Sequence, residues 1–314
     1  SFDAYQIFVL PYLWYGSYDG VKVGLYFLGS EFADFGFLKG RHQWFAGGNF
    51  GMRSELFYPT YSYQTPLVFN RDRRIRVFLE GSNSRDRDNF NVGLRSDFGT
   101  PLSSARLTMY ESALKIQEMK AYLATDSIDW ELGTNVTLVN TVGIERGRWS
   151  AECAISYAHR FLGSDWDFLK VTGEVTYRSR IPVPFAARLF MGHIAGTAPR
   201  QELLFLSGAL RITPIADIIF DQSGYWSPQE HIHIPGDGNM RGYQMMHVKT
   251  DGMVCMNLEL LTHFPFRLFA DIGYYERMAF DVGCRLVLGP LSLNVPFYTL
   301  TDDPWEFRWS IGLP

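Results

Sequence analysis

Cysteine is scarce in this 314-residue chain, and the three present, Cys153, Cys255 and Cys284, are too scattered for a disulfide framework or a metal site. Long hydrophobic runs are absent as well. No stretch of about 18 apolar residues occurs, which excludes a membrane protein built on helices. Charge is thin and balanced, 29 basic against 33 acidic residues with no basic block, so nucleic acid is not an expected partner. No Gly-x-Ser-x-Gly nucleophile motif is found, no catalytic residue is assigned, and the chain itself is not expected to be an enzyme. His231 and His233 flank Ile232 without a third ligand at a telling spacing, so neither a metal nor a cofactor is expected. A charged and apolar leader is also missing, and the numbering from Ser1 is expected to describe a mature protein or a piece of a longer one.

What the chain has is alternation. Val254, Met256, Leu258 and Leu260 oppose Met253, Cys255, Asn257 and Glu259. Asp271 and Gly273 oppose Ile272 and Tyr274. Val282, Cys284, Leu286 and Leu288 oppose Asp281, Gly283 and Arg285, and Leu291, Leu293, Val295 and Phe297 oppose Ser292 and Asn294. The last run sets Phe307, Trp309, Ile311 and Leu313 against Glu306, Arg308, Ser310 and Gly312. Period two means strands with one apolar and one polar face. Leu169/Val171/Val175/Tyr177 against Lys170/Thr172/Glu174/Thr176/Arg178 repeat it upstream, as do Val136/Leu138 against Asn135/Thr137 and Ile75/Val77/Leu79 against Arg76/Glu80. A soluble sandwich alternates too. The polar faces here, however, carry charges of both signs, which suits a wet lumen, while the apolar faces suit lipid.

The expected fold is therefore an all-β transmembrane antiparallel barrel of about sixteen strands, with fourteen as the fallback, forming one domain over residues 1–314. Strands are expected near 42–57, 68–80, 115–124, 128–140 and 306–313, among others, with a longer polar link from Ser82 to Asn89. Aromatics make up 16% of the chain, and many, such as Tyr15, Phe57, Tyr58, Trp149, Phe266 and Trp305, fall near strand ends, where an interfacial girdle would sit. The segment 195–250 is too long for a hairpin link and is expected to fold back into the lumen; Gln201 to Ile212 within it reads as a short helix or hairpin.

That segment ends in Gly-Asp-Gly-Asn-Met-Arg-Gly-Tyr, residues 236–243, followed by five strands. This arrangement resembles the sixth extracellular loop and C-terminal half of the BamA superfamily of outer-membrane assembly and translocation barrels. The resemblance implies that Arg241, Gly242 and Tyr243 are the family's loop-tip motif. It also implies that Glu259 and Asp271, on the next two strands, hold the arginine inside the barrel. The physics is independent of the likeness: a guanidinium inside a barrel must be paired, and both acids share the lumen face by parity.

A Gram-negative outer membrane is then the expected location, with membrane lipids and client or partner outer-membrane and periplasmic proteins as the expected partners. The expected function is protein insertion or translocation, with Trp305, Phe307, Trp309 and Ile311 on the strand that meets the first at the seam. The alternative is a barrel that anchors, or acts as a passive channel for, a fused or partner periplasmic domain, peptidase-like in one version. What lies upstream of Ser1 separates the two.

Overall fold

The computed structural model describes residues 6–16, 19–35, 38–70, 73–84, 87–100, 103–116, 131–179, 183–208, 232–233, 236–246, 248–260, 265–289 and 291–312. Nineteen strands are formed among them. In order, these are β1 (Gln6–Gly16), β2 (Gly20–Phe35), β3 (Leu38–Gly51), β4 (Leu56–Asn70), β5 (Arg73–Ser84), β6 (Arg87–Thr100), β7 (Ser103–Ile116), β8 (Gly133–Arg146), β9 (Trp149–Ala158) and β10 (Asp167–Ser179). The remainder are β11 (Phe185–Thr197), β12 (Leu204–Phe205), β13 (Ile232–His233), β14 (Lys249–Thr250), β15 (Gly252–Leu260), β16 (Phe266–Tyr274), β17 (Met278–Leu288), β18 (Leu291–Thr299) and β19 (Ser310–Gly312). The fold is all-β: seventeen strands belong to one sheet, and setting β13 aside leaves sixteen in antiparallel order. Among the described residues no pairing closes the sheet.

Sixteen is the expected number, but the early strands differ from their expected spans. Residues 42–57 contain a turn, because β3 stops at Gly51 and β4 starts at Leu56. Residues 68–80 join the end of β4 to β5, and the expected 115–124 strand is the tail of β7 followed by residues outside those described. Nor is Ser82 to Asn89 a long link. Register runs to Ser84↔Arg87, and the Asn83 amide donates to Asp88 across the hairpin. The helix or hairpin expected at Gln201 to Ile212 is a 3-10 turn, Arg200–Glu202, leading into β12; its later residues lie outside those described, as does His231.

Chain packing divides into two compact units. The first takes residues 1–142, 156–167 and 212–226. Its strands β1 to β7 are consecutive hairpins with long, nearly unbroken registers, such as Gln6↔Ser30 through Gly16↔Gly20 and Lys22↔Gly51 through Phe35↔Leu38. Its polar face is lined with buried Asn49, Thr60, Ser82, Asn91 and Thr108, while Val23, Leu25, Leu94, Leu107 and Met109 are exposed on the other. Tyr58, expected among the girdle aromatics, is instead buried, because its hydroxyl donates to Asp19 Oδ1 at 2.7 Å.

The second unit takes residues 143–155, 168–211 and 227–314. Strand β11 pairs directly with β15, Phe185↔Leu260 through His193↔Gly252, so the wall resumes after the long excursion as though it were one hairpin. Strands β15 to β18 continue the antiparallel ladder, with one register shift between Val282 and Gly283. Their faces keep the expected parity: Met253, Cys255 and Asn257 are buried and Val254, Met256, Leu258 and Leu260 exposed. Cys153 is exposed and Cys284 half-buried. A wall with apolar side chains outward and Asn, Asp and Arg inward is the reverse of a water-soluble core, and an apolar surface this extensive requires lipid or a partner to cover it.

One correction falls at the end of the chain. The last strand is only Ser310–Gly312, so Ile311 lies in it but Trp305, Phe307 and Trp309 do not. Arg308 accounts for this: its guanidinium is buried and donates to Glu306, to the Thr301 hydroxyl and to the carbonyls of Asp303 and Gly242. A chain tied down at that point cannot lie extended beside β18.

Candidate functional site

The site is built in the second unit by the excursion between β11 and β15. Strands β12 and β14 pair as a small ribbon, Leu204↔Thr250 and Phe205↔Lys249, extended by a bond from Leu206 N to the Val248 carbonyl. This ribbon receives residues 237–240. Asp237 accepts from Phe205 N at 3.1 Å, Gly238 N donates to the Phe205 carbonyl and Met240 N to that of Leu206, each at 3.0 Å. Asp237 and Asn239 both take positive φ, 35° and 51°, which residues with a short polar side chain tolerate best.

Leu204, Leu206 and Met240 are fully buried and give the loop an apolar core of its own against the wall. Gly273 of β16 makes room for it. A Cβ there would lie 2.6 Å from the Met240 sulfur and 2.9 Å from that of Cys255. The sequence signals this plug only as an apolar run beginning at Leu203.

Arg241 is next along the chain, 4% exposed within its residue. Its Nε and Nη2 donate to Asp271 Oδ2 and Oδ1 at 2.9 and 2.7 Å, a bidentate fork, and Nη1 donates to Glu259 Oε2 at 2.9 Å. The backbone N–H adds a bond to Asp271 at 3.2 Å, and the guanidinium carbon lies 3.9 Å from the centroid of the Phe269 ring. The planar fork matches two oxygens of one carboxylate, which an ammonium cannot do, and the ring face receives the remaining positive surface.

The two neighbouring residues are fastened with equal care. Gly242 N donates to Asp281 Oδ2 at 3.0 Å, and a Cβ on Gly242 would meet Thr299 Oγ1 at 2.4 Å and Asp281 Cβ at 2.7 Å, so no larger residue fits. Tyr243 donates its hydroxyl to the Leu300 carbonyl at 2.8 Å and accepts from Phe280 N at 3.2 Å. Burial pushes that hydroxyl up to about 12, so it remains a donor throughout the ordinary pH range.

The structure thus brings Arg241, Gly242, Tyr243, Glu259 and Asp271 together, and it adds residues that sequence reasoning does not single out. Asn257 donates to the carbonyls of Gly238 and Asn239 and to Asp271, at 3.1 to 3.2 Å. Asp281 stands directly opposite Asp271 in register and is fully buried. Arg267 and Arg285, also opposite one another, both reach Glu259, at 2.8 and 3.4 Å. Arg188 joins Asn257 to Glu174 at 2.9 and 2.6 Å. Parity places Asn257 and Asp281 on the same face as Glu259 and Asp271, so a signal for them is present. Nothing in the sequence marks Arg308. His233 is buried and bonded to Asn239 Oδ1 at 2.9 Å.

In this patch four guanidiniums, of Arg188, Arg241, Arg267 and Arg285, face three carboxylates, of Glu174, Glu259 and Asp271, while the carboxyl of Asp281 accepts from Gly242 N. Such an arrangement holds a loop against a wall. It presents no nucleophile beside a base among the described residues.

No family model matches the chain, and no curated protein matches it. Solved structures do. Over 98% of its length the chain is similar to the BamA of Haemophilus ducreyi, crystallised without POTRA domains 1–3, with TM-score 0.53, 12% identity and 69% of that chain covered. It is also aligned over 98% of its length with CdiB of Acinetobacter baumannii, with TM-score 0.44, 11% identity and 64% of that chain covered. The sixteen antiparallel strands, apolar outside and charged within, together with the likeness to the first of these, give the chain the fold of a BamA-type outer-membrane β-barrel.

Proposed function

We propose that this chain is the membrane barrel of a machine that inserts proteins into the Gram-negative outer membrane or passes them across it. The Arg241 clamp carries the reading. A barrel that served only as a hydrophobic plug would have no use for an excursion of about 50 residues fastened to its inner face by a buried arginine, since burying a charge is costly unless it is fully paired. Clamped, the loop fixes the state of the interior; released, it changes that state. The fold shared with the Haemophilus ducreyi BamA supports the same reading. Outer-membrane lipid covers the exposed apolar face, and client or partner envelope proteins are what the barrel handles.

The test is depletion of the protein in its host, followed by quantitation of outer-membrane and secreted proteins. Loss of a defined set of them, restored by the wild-type chain and not by Arg241→Ala at equal expression, is the expected result. An unchanged envelope proteome, with loss only of an activity attached to the barrel, would replace this reading with that of an anchor.

A further inference from the structure

Two arginines of the first unit face each other across β5 and β6. Register pairs Arg76 with Arg95, and the same row continues to Pro66 on β4 and Thr108 on β7. Parity puts the row on the polar face with buried Asn91, while the chain neighbours Val77 and Leu94 turn to the apolar side. Directly opposed residues of a sheet have Cβ atoms about 5 Å apart, and like charges so placed repel.

The wall does not offset that repulsion. Pro66 and Thr108 carry no charge. Of the nearest carboxylates along these strands on the same face, Glu80 accepts from Asn91 Nδ2 and Asp97 from Arg106 Nε, each at 2.9 Å. Neither Arg76 nor Arg95 forms an ion pair among the described residues.

Donors gather at the same place. Arg95 Nε and Gln64 Nε2 are both covered from solvent and have no hydrogen-bond partner, a condition that folded proteins rarely leave in place. Gln64 stands on β4 opposite Phe78, one row from Arg76. The Arg95 guanidinium carbon lies 5.5 Å from the centroid of that Phe78 ring, and Gly93, opposite Phe78 on β6, has no side chain to cover the ring first. The aromatic face fixes the direction of one guanidinium and leaves its N–H groups to be satisfied by something other than the wall.

We propose that Arg76, Arg95 and Gln64 form a binding site for a water-borne phosphate dianion, free or as a phosphate monoester. Two guanidinium charges match a dianion, and two planar forks with one amide supply donors to several oxygens of a single tetrahedral group. A carboxylate, with one charge and two oxygens, would leave half of the positive charge unmatched. A bilayer lipid does not present its headgroup here, because lipid meets the apolar face and these donors stand on the other. The site needs neither the Arg241 clamp nor the function proposed above.

Titration calorimetry of inorganic phosphate into the whole protein in neutral detergent, in phosphate-free buffer of low ionic strength, tests this. Saturable binding of one phosphate per chain is expected. Arg76→Gln and Arg95→Gln should each weaken it about tenfold or more, the worth of a charge-assisted hydrogen bond. Acetate should compete poorly, and the affinity should be the same in nanodiscs of phosphatidylcholine with or without phosphatidylglycerol. No saturable binding at millimolar phosphate, or binding that both variants retain, overturns the site. Acetate competing as well as phosphate overturns the dianion, and affinity lost on adding phosphatidylglycerol overturns a water-borne ligand. The heat conversion of the gel band checks that each variant is folded. Should a glutamine variant not fold, Arg76→Lys or Arg95→Lys, which keeps the charge and loses the fork, replaces it: weaker binding than wild type is expected, and equal binding overturns the site.

Discussion

Arg241 answers two carboxylates that the sheet holds on different strands, and this makes it the side chain whose loss should be felt most. Arg241→Ala leaves Asp271, fully buried, without its counter-charge, while Glu259 keeps Arg267 and Arg285, and the expected cost is about 3–5 kcal/mol. The check is the temperature at which the folded gel band converts to the unfolded one, together with protease cleavage within residues 195–250. Arg241→Lys keeps the charge but loses the fork, and should recover less than half of that loss. For Gly242→Ala the added methyl would lie 2.4 Å from Thr299 Oγ1, and overpacking of this kind costs about 1–3 kcal/mol, read in the same assay. Much of this site is legible in the sequence, because parity puts Glu259 and Asp271 on one face and a buried arginine needs both. Asn257 and Asp281 obey the same parity. They do not stand out because a polar wall offers many such residues and only the fold selects which of them meet the loop.

Individual elements show where alternation fails as a guide. In β2 to β4 the inner face is filled by rings: Tyr26 stacks on Phe45 with centroids 5.3 Å apart and also bonds Asn49 at 2.8 Å. A glycine stands opposite one such ring, Gly47 facing Tyr26 in register. When the inner residue is aromatic or glycine the two faces no longer differ in polarity, and strand ends blur. From β15 to β18 the inner residues include Asn257, Glu259, Asp271, Asp281, Arg285 and Asn294, and the expected and observed spans agree within a few residues. The final strand departs from expectation because its alternating residues are held in a loop by long-range bonds from Arg308 that no local pattern records.

The turn before β2 carries a prediction of its own. Burial opposes ionisation of Asp19, but donors on Lys22, Ser54 and Tyr58, and the charge of Lys22 at 2.8 Å, outweigh it and hold the carboxyl below its ordinary range. A depressed folded value means that the stabilisation is present above the unfolded value near 3.8 and lost as pH falls through the folded one. Acid unfolding followed by tryptophan fluorescence should show that step in the wild type. Asp19→Asn should be less stable at neutral pH and lack the step.

For the whole molecule the governing fact is the reversal of inside and outside. The protein should be extracted from membranes only by detergent and should migrate on gels as a compact band until boiled, because backbone groups paired strand to strand resist detergent. A monomer soluble in plain buffer after refolding would contradict this. That reversal is legible in the sequence, since period two with charges gathered on one face has few other solutions. The identity of the loop's partners in the wall is not, because it depends on register across the whole excursion, from Arg188 to the loop tip, and pattern alone does not fix such a register.

The charged patch also has an electrical reading. With the loop clamped, the guanidinium of Arg241 offsets the negative charge of the wall carboxylates Glu259 and Asp271. That one positive charge belongs to the loop and not to the wall. Remove it and the patch becomes one unit more negative, so current through the barrel should become more cation-selective. In a planar bilayer with a salt gradient, the reversal potential of Arg241→Ala should shift toward the cation side relative to wild type. The loop's position would thereby be readable as a voltage.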